Sequence, residues 1–387
     1  MRIVFLSHTH RNSLFKVGSF HLAKKYAEMG HEVLFVSIPI SIITILKNIF
    51  NKKTSKQNDL HSKISLIFGR KDDVYKNIID FIPFSFIPYS RLPILDSKFV
   101  ALFCSSITFP RIKSILKKYN FDYADLVFMD EPSFLYMRKY IKSKRWVYRI
   151  TDIYSQMPTA KKSTSKIEKN ISEFANTFVA TSKPVAEYFE NKYNKKTKVL
   201  ENGVDFEHFQ SVQKKPQEYN EMNNPVAVYV GNVDSRFDWE LIINLADGNS
   251  HVNFVVIGPV SIYIPNTDNR KNVWMLGPKT YDLIPAYLKY ADVGLLPLVQ
   301  GNSNSGRSPM KLYEYGAAGL PVIATRTPEL TRRNLPFVYL ADNYKEFNQK
   351  LKKGIQNKQR LVDIAKITSK EKSWDNIAIE LLEECTK

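Results

Sequence analysis

Cysteine is nearly absent: this chain of 387 residues holds only Cys104 and Cys385. They lie far apart and without metal-ligand spacing, which excludes a disulfide framework and points to a reducing compartment. Long hydrophobic runs are missing as well. No stretch reaches the roughly 18–20 apolar residues that a spanning helix needs, and Pro39 splits the best candidate, 33–46. The opening MRIVFLSHTH has no charged segment ahead of a long apolar one, so it reads as a first strand entering a loop and not as a secretion signal. These absences predict a cytoplasmic protein that is not integral to a membrane. Repeats and low-complexity tracts of consequence are also lacking. Against this, 44% hydrophobic and 13% aromatic residues exclude global disorder. The length suits two domains better than one.

The net charge of +18 is unevenly spread. Residues 1–200 carry 34 Lys+Arg and 16 Asp+Glu, while the remainder carries 22 of each, so the whole excess lies in the first half. Such asymmetry points to one half meeting an anionic surface.

Apolar periodicity predicts alternating strands and helices. In the first half the strands are 3–6, 32–36, 126–129, 146–150 and 177–180, with helices at 14–29, 111–119, 133–141 and 165–174. The polar stretch 211–224 reads as a linker. A second series follows it: strands at 226–230, 253–257, 273–276 and 293–296, helices at 239–245 and 283–290, then an amphipathic end at 373–384. A β-loop-α-β opening repeated in two halves predicts α/β architecture with two doubly wound, Rossmann-like domains.

The most informative segment is 308–325, SPMKLYEYGAAGLPVIAT. A short helix opens after a Gly/Ser-rich loop (301–306), sets Lys311 and Glu314 three residues apart on one face, and stops at Gly319-Leu320-Pro321 before a strand. Free amides at the helix start, a cation and a carboxylate together suit a ligand with both phosphate and hydroxyl groups, such as a nucleotide sugar. An ordinary ion pair on a helix surface is the bland alternative. Three glycine turns, Gly231-Asn232, Gly258-Pro259 and Gly277-Pro278-Lys279, follow the second-half strands and would gather at their carboxyl ends.

The segment resembles the donor-binding helix of GT-B glycosyltransferases, in which P-x-K-x-x-E-Y precedes A-x-G-x-P-V. That resemblance implies two Rossmann-like domains facing across a cleft, with a C-terminal helix crossing back. The domains would be an acceptor-binding, membrane-facing 1–205, a donor-binding 206–372 and a returning helix 373–387. It further implies that Lys311 contacts the diphosphate of a nucleotide-sugar, UDP-linked by resemblance, and that Glu314 holds ribose hydroxyls. Arg307, Ser308, Met310, Gly231, Asn232, Gly277 and Pro278 complete the expected donor site. No D-x-D sequence occurs, so no metal and no cofactor are expected: Lys311 and Arg307 would neutralise the leaving diphosphate. Gly306 stands where many retaining members carry the first glutamate of an E-x7-E pair, which favours inversion.

WVYRITDIYSQ (146–156) resembles the strand and Y-R-x-x-D of the xanthan-type glucuronosyltransferase group of the same fold. The resemblance makes Asp152 the general base that accepts the acceptor hydroxyl's proton; as an Asp beyond a strand it could also be a turn former. His8 and His10, in the loop after the first strand, are alternative bases or members of one proton network with Asp152. Arg11, Arg149 and Tyr154 are expected acceptor contacts.

Two segments, 38–53 and 78–95, combine apolar residues with basic ones, and further basic clusters lie at 142–145 and 161–162. With the charge asymmetry they predict peripheral binding to an anionic membrane at its inner face, and a lipid-linked or other saccharide acceptor in bacterial surface polysaccharide synthesis. Alternatives are a nucleotide-sugar 2-epimerase of the same fold, a basic membrane- or nucleic-acid-binding protein without catalysis, and a partner subunit with a degenerate site. No recognised nucleic-acid motif is present, so no nucleic acid partner is expected.

Overall fold

The structure is a computed structural model. It describes all residues except 14–15, 50–59, 87–97, 158–162, 212, 265–266, 268, 302–303 and 305; for 47–49 and 98–101 it describes the backbone alone. The chain divides into two compact units, Met1–Leu200 with Ala378–Lys387, and Glu201–Ile377.

The first unit is built on strands β1 (Arg2–Ser7), β2 (Glu32–Ser37), β4 (Arg70–Lys71), β5 (Ile78–Phe81), β7 (Tyr123–Met129), β8 (Lys142–Ile150), β9 (Thr177–Ala180) and β10 (Lys198–Val199). They form one sheet in the order β10-β9-β8-β7-β1-β2-β5-β4, parallel except for the edge strand β4. Two short strands, β3 (Ile40–Ser41) and β6 (Phe84–Ser85), pair separately. Ile3 to Leu6 are all fully buried, as expected of a parallel strand covered on both faces. Strand order reverses between β1 and β7. The loops leaving these strands therefore diverge and open a crevice at the carboxyl edge. Ser7 and His8 leave β1 there, Asp130 leaves β7, and Thr151 to Tyr154 leave β8.

The second unit repeats the plan with β11 (Val226–Val230), β12 (Asn253–Ile257), β13 (Val273–Gly277), β14 (Val293–Leu296), β15 (Val322–Thr325) and β16 (Val338–Ala341). All are parallel in the order β13-β12-β11-β14-β15-β16, with the reversal between β11 and β14. Apolar clusters cover both faces of this sheet. The helix Tyr344–Glu371 runs 28 residues, seated through Phe347, Leu351 and Ala365.

Two expectations change. Residues 133–141 form a 3₁₀ segment, Pro132–Lys139, opened by the Glu131 side chain accepting from Ser133 N at 3.2 Å. The segment 78–95 begins as β5, buried on both faces, so this part is core and not a surface for lipid; 87–95 lies outside the described residues, as do Lys52, Lys53, Lys161 and Lys162. No helix among the described residues is long and apolar enough to cross a membrane.

The last helix, Trp374–Thr386, ends within the first unit. Tyr26 Oη donates to Ala378 O at 3.1 Å, Arg145 donates to the Cys385 carbonyl, and Leu381 is fully buried. Burial, aided by Glu384, pushes the Cys385 thiol up to about 12. Leu381→Ala should cost about 2–5 kcal/mol. The expected readouts are a lower urea midpoint and faster alkylation of Cys385 than in the parent protein.

Candidate active site

At the carboxyl edge of the second sheet the three glycine turns lie side by side. Gly231 N donates to Ile257 O at 2.9 Å, and Gly258 N donates to Gly277 O at 2.9 Å. Gly258, at φ +148°, approaches so closely that an added Cβ would stand 1.8 Å from Gly231 O. Gly277, at φ +65°, faces open space. Any side chain at 258 would force these strand ends apart, whereas at 277 only the backbone angle selects glycine. Asn232 Nδ2 donates to Asp234 Oδ2 at 3.1 Å, and Val233 N to Pro259 O at 2.9 Å, so the first two loops are tied together. Burial would raise Asp234, but Arg236 and the charge of Arg307 hold it below its ordinary value, which places Arg307 beside this loop.

The helix Lys311–Ala317 follows. Lys311 Nζ meets Glu314 Oε2 at 2.8 Å, and Glu314 is only 2% exposed. A surface ion pair would leave both ends in water; here the carboxylate is held inside and the cation reaches it from the half-buried rim. Tyr281, in the loop after β13, lies in the field of Glu314, which adds to burial in raising its phenol well above the usual value. The expected free amides are mostly taken: Leu312 N bonds Pro309 O, and Tyr313 N and Glu314 N bond Met310 O. A tight 3₁₀ entry consumes them, so side chains must carry most of any anion binding. Met310 is half-buried at the helix cap and Pro278 is exposed.

Behind this helix is a charge network that local patterns did not reveal. Glu329 accepts from Arg332 Nη2 at 2.7 Å and from Arg333 Nε at 2.9 Å, while Glu201 accepts from Arg332 Nη2 at 2.5 Å and from the Tyr313 hydroxyl. Its members come from three separate segments, so no short spacing could signal it.

In the first unit, Arg149 Nη1 donates to Asp130 Oδ2 at 2.8 Å, with Asp130 1% exposed. Burial raises Asp130 above its ordinary value, against the pull of Arg149 and of His8. Arg11 is likewise internal, donating to Asp80 from Nε at 2.8 Å and from Nη2 at 3.1 Å, and to Asp72. The two arginines expected at an acceptor are thus engaged inside the unit. Their partners come from strands and loops remote in sequence. Exposed His8 contributes to the field at Asp130, and buried His10 to that at Asp80. Asp152 is half-buried in the loop after β8. Tyr154 Oη, expected to meet acceptor, donates to the Asp130 carbonyl and lies 2.7 Å from Thr151 Oγ1, which pins that loop. Among the described residues no three His, Cys, Asp or Glu side chains gather as a metal site requires.

Residues 5–180 match the family model of the glucuronosyltransferase GumK N-terminal domain, and residues 224–357 that of glycosyl transferases group 1. A glycosyltransferase from Rickettsia africae superposes with a TM-score of 0.67 at 16% identity, over 99% of this chain and 97% of that one. The chain belongs to the GT-B glycosyltransferases. Anabaena HepE, solved with UDP and glucose, shares this GT-B fold with a TM-score of 0.66 at 15% identity, over 100% and 99% of the two chains. In sequence, the glycosyltransferase TuaH of Bacillus subtilis, assigned to teichuronic acid biosynthesis, is 27% identical over 150 residues. That match spans 37% of this chain and 38% of TuaH.

Within this GT-B chain the buried Asp130–Arg149 pair generates a pH-dependent prediction. Arg149→Met should cost about 3–5 kcal/mol at pH 8, because Asp130 is left as an uncompensated buried charge. The cost should shrink as the pH is lowered to 5, because burial already favours the protonated carboxyl and loss of Arg149 favours it further. Thermal melts at the two pH values measure the difference.

Proposed function

We propose that the chain transfers a sugar from a nucleotide-sugar, UDP-linked by resemblance, to a lipid-linked or related saccharide acceptor in bacterial surface polysaccharide synthesis. The observation that carries this reading is the carboxyl edge of the second sheet. Closely packed glycine turns leave room for a ligand beside a Lys311–Glu314 pair whose carboxylate is buried. HepE's complex with UDP and glucose and TuaH's assignment to teichuronic acid synthesis support the same class of substrates.

In this mechanism the acceptor oxygen attacks the anomeric carbon while Asp152 takes its proton. The nucleoside diphosphate leaves from the opposite face, so the product is inverted. Lys311 and Arg307 offset the charge on the departing phosphates, and no metal ion takes part. Tyr154 keeps the Asp152 loop in place through the Asp130 carbonyl. Lys311→Ala should abolish stabilisation by nucleoside diphosphates in a thermal-shift assay. Asp152→Asn should keep that stabilisation and lose about 10²–10⁴ in turnover, and wild-type turnover should persist in excess chelator. Normal turnover by Asp152→Asn would remove Asp152 from the mechanism.

The enzyme works at the inner face of an anionic membrane, on the first unit. Helix Ile42–Ile49 exposes Ile42, Ile43 and Leu46. Phe68 and Phe109 meet edge to face at 5.9 Å while each stays 56% exposed, and Lys118 reaches the Phe68 carbonyl at 3.4 Å. Exposed aromatic and aliphatic side chains on a basic unit, with Lys118 beside Phe68, suit a headgroup layer. The parent protein should co-sediment with phosphatidylglycerol vesicles at low salt, and the Ile43→Asp, Phe109→Asp double variant should not. No sedimentation of the parent at either low or high salt would remove the membrane from the proposal.

A further inference from the structure

Ser308 is held at both of its polar groups by residues far away in sequence. Asn202 Nδ2 donates to its carbonyl at 3.1 Å, and Arg333 Nη2 donates to its hydroxyl oxygen at 2.6 Å. The Arg333 side chain is 1% exposed and its guanidinium is engaged at Nε and Nη2. Glu329 takes its Nε, Glu201 lies at 3.4 Å, and the Tyr313 ring is 5.5 Å from the guanidinium carbon. Burial alone would raise Glu201, yet Arg333, the Tyr313 hydroxyl and Arg332 together hold it below its ordinary value, so it stays charged as a counter-ion. Arg333 Nη1 is buried without a hydrogen-bond partner in the structure.

A hydroxyl has one proton to give and two lone pairs to accept with. With Arg333 as donor, the Ser308 oxygen is polarised by a cation and keeps its own proton for another acceptor. Ser308 stands three residues before Lys311, in the loop that leads to the donor helix. We infer that Arg333 is a positioning residue for the donor: it acts through Ser308, whose hydroxyl donates to an oxygen of the bound diphosphate. The inference rests on the donor site proposed above. It adds a buried cation that never meets the ligand, alongside Lys311, which does.

The test is a double-mutant cycle on nucleoside diphosphate affinity. UDP, ADP and GDP are titrated calorimetrically into the full-length protein, and the tightest binder serves as the probe. Ser308→Ala should weaken it about tenfold or more, as loss of a charge-assisted hydrogen bond does, and Ser308→Thr should restore most of the affinity. Arg333→Lys should weaken binding severalfold alone, but add almost nothing in the Ser308→Ala background. Additive losses, or parent-like affinity of Ser308→Ala, would overturn the inference. Lys311→Ala separates the two ideas. If it loses the probe while Ser308→Ala retains it, the positioning role alone fails; if it binds like the parent, the donor site itself is misassigned.

Discussion

A parallel strand covered on both faces has no tolerance for a lone charge along its length. Both sheets obey this constraint, and it dictates where the chemistry can be. Ile3 to Leu6 and Val226–Val230 are apolar throughout, and polar groups collect where the strands run out. Three arginines that enter the interior are paired with carboxylates: Arg149 with Asp130, Arg11 with Asp80, and Arg333 with Glu329 and Glu201. Each pair sets the position of a loop at a carboxyl edge, so the same interactions that satisfy burial also place candidate reacting groups.

Signals confined to a few neighbouring residues were legible. Strands Thr177–Ala180, Val226–Val230, Asn253–Ile257, Val293–Leu296 and Val322–Thr325 coincide with apolar β-rich runs. Lys311 and Glu314 could be read as partners because three residues on a helix is a contact distance. What escaped notice depends on closure over long stretches. Arg11 meets Asp80 across 69 positions, and Tyr313 meets Glu201 across 112. An arginine in a polar loop looks like a ligand contact until its distant carboxylate is known. Helix Tyr344–Glu371 was missed because most of its length is polar or charged, with few apolar positions to mark its seated face.

The two units also differ in electrostatic character. Residues 1–200 hold the entire positive excess, whereas the rest is balanced. In the balanced half, cations near the glycine turns already have carboxylate companions, so an entering anion exchanges partners instead of meeting bare charge. Such exchange favours selectivity over simple attraction, because a ligand must match the geometry of the groups it displaces.

The segment Glu201–Ile377 is continuous, while its companion is assembled from two pieces of chain separated by it. On a ribosome the second of those pieces emerges only after the whole of Glu201–Ile377. The sheet of the first unit can thus form early, but the place that receives Leu381 and Cys385 stays unfilled until the intervening segment has been made. Completion of the first unit therefore waits on synthesis of the second.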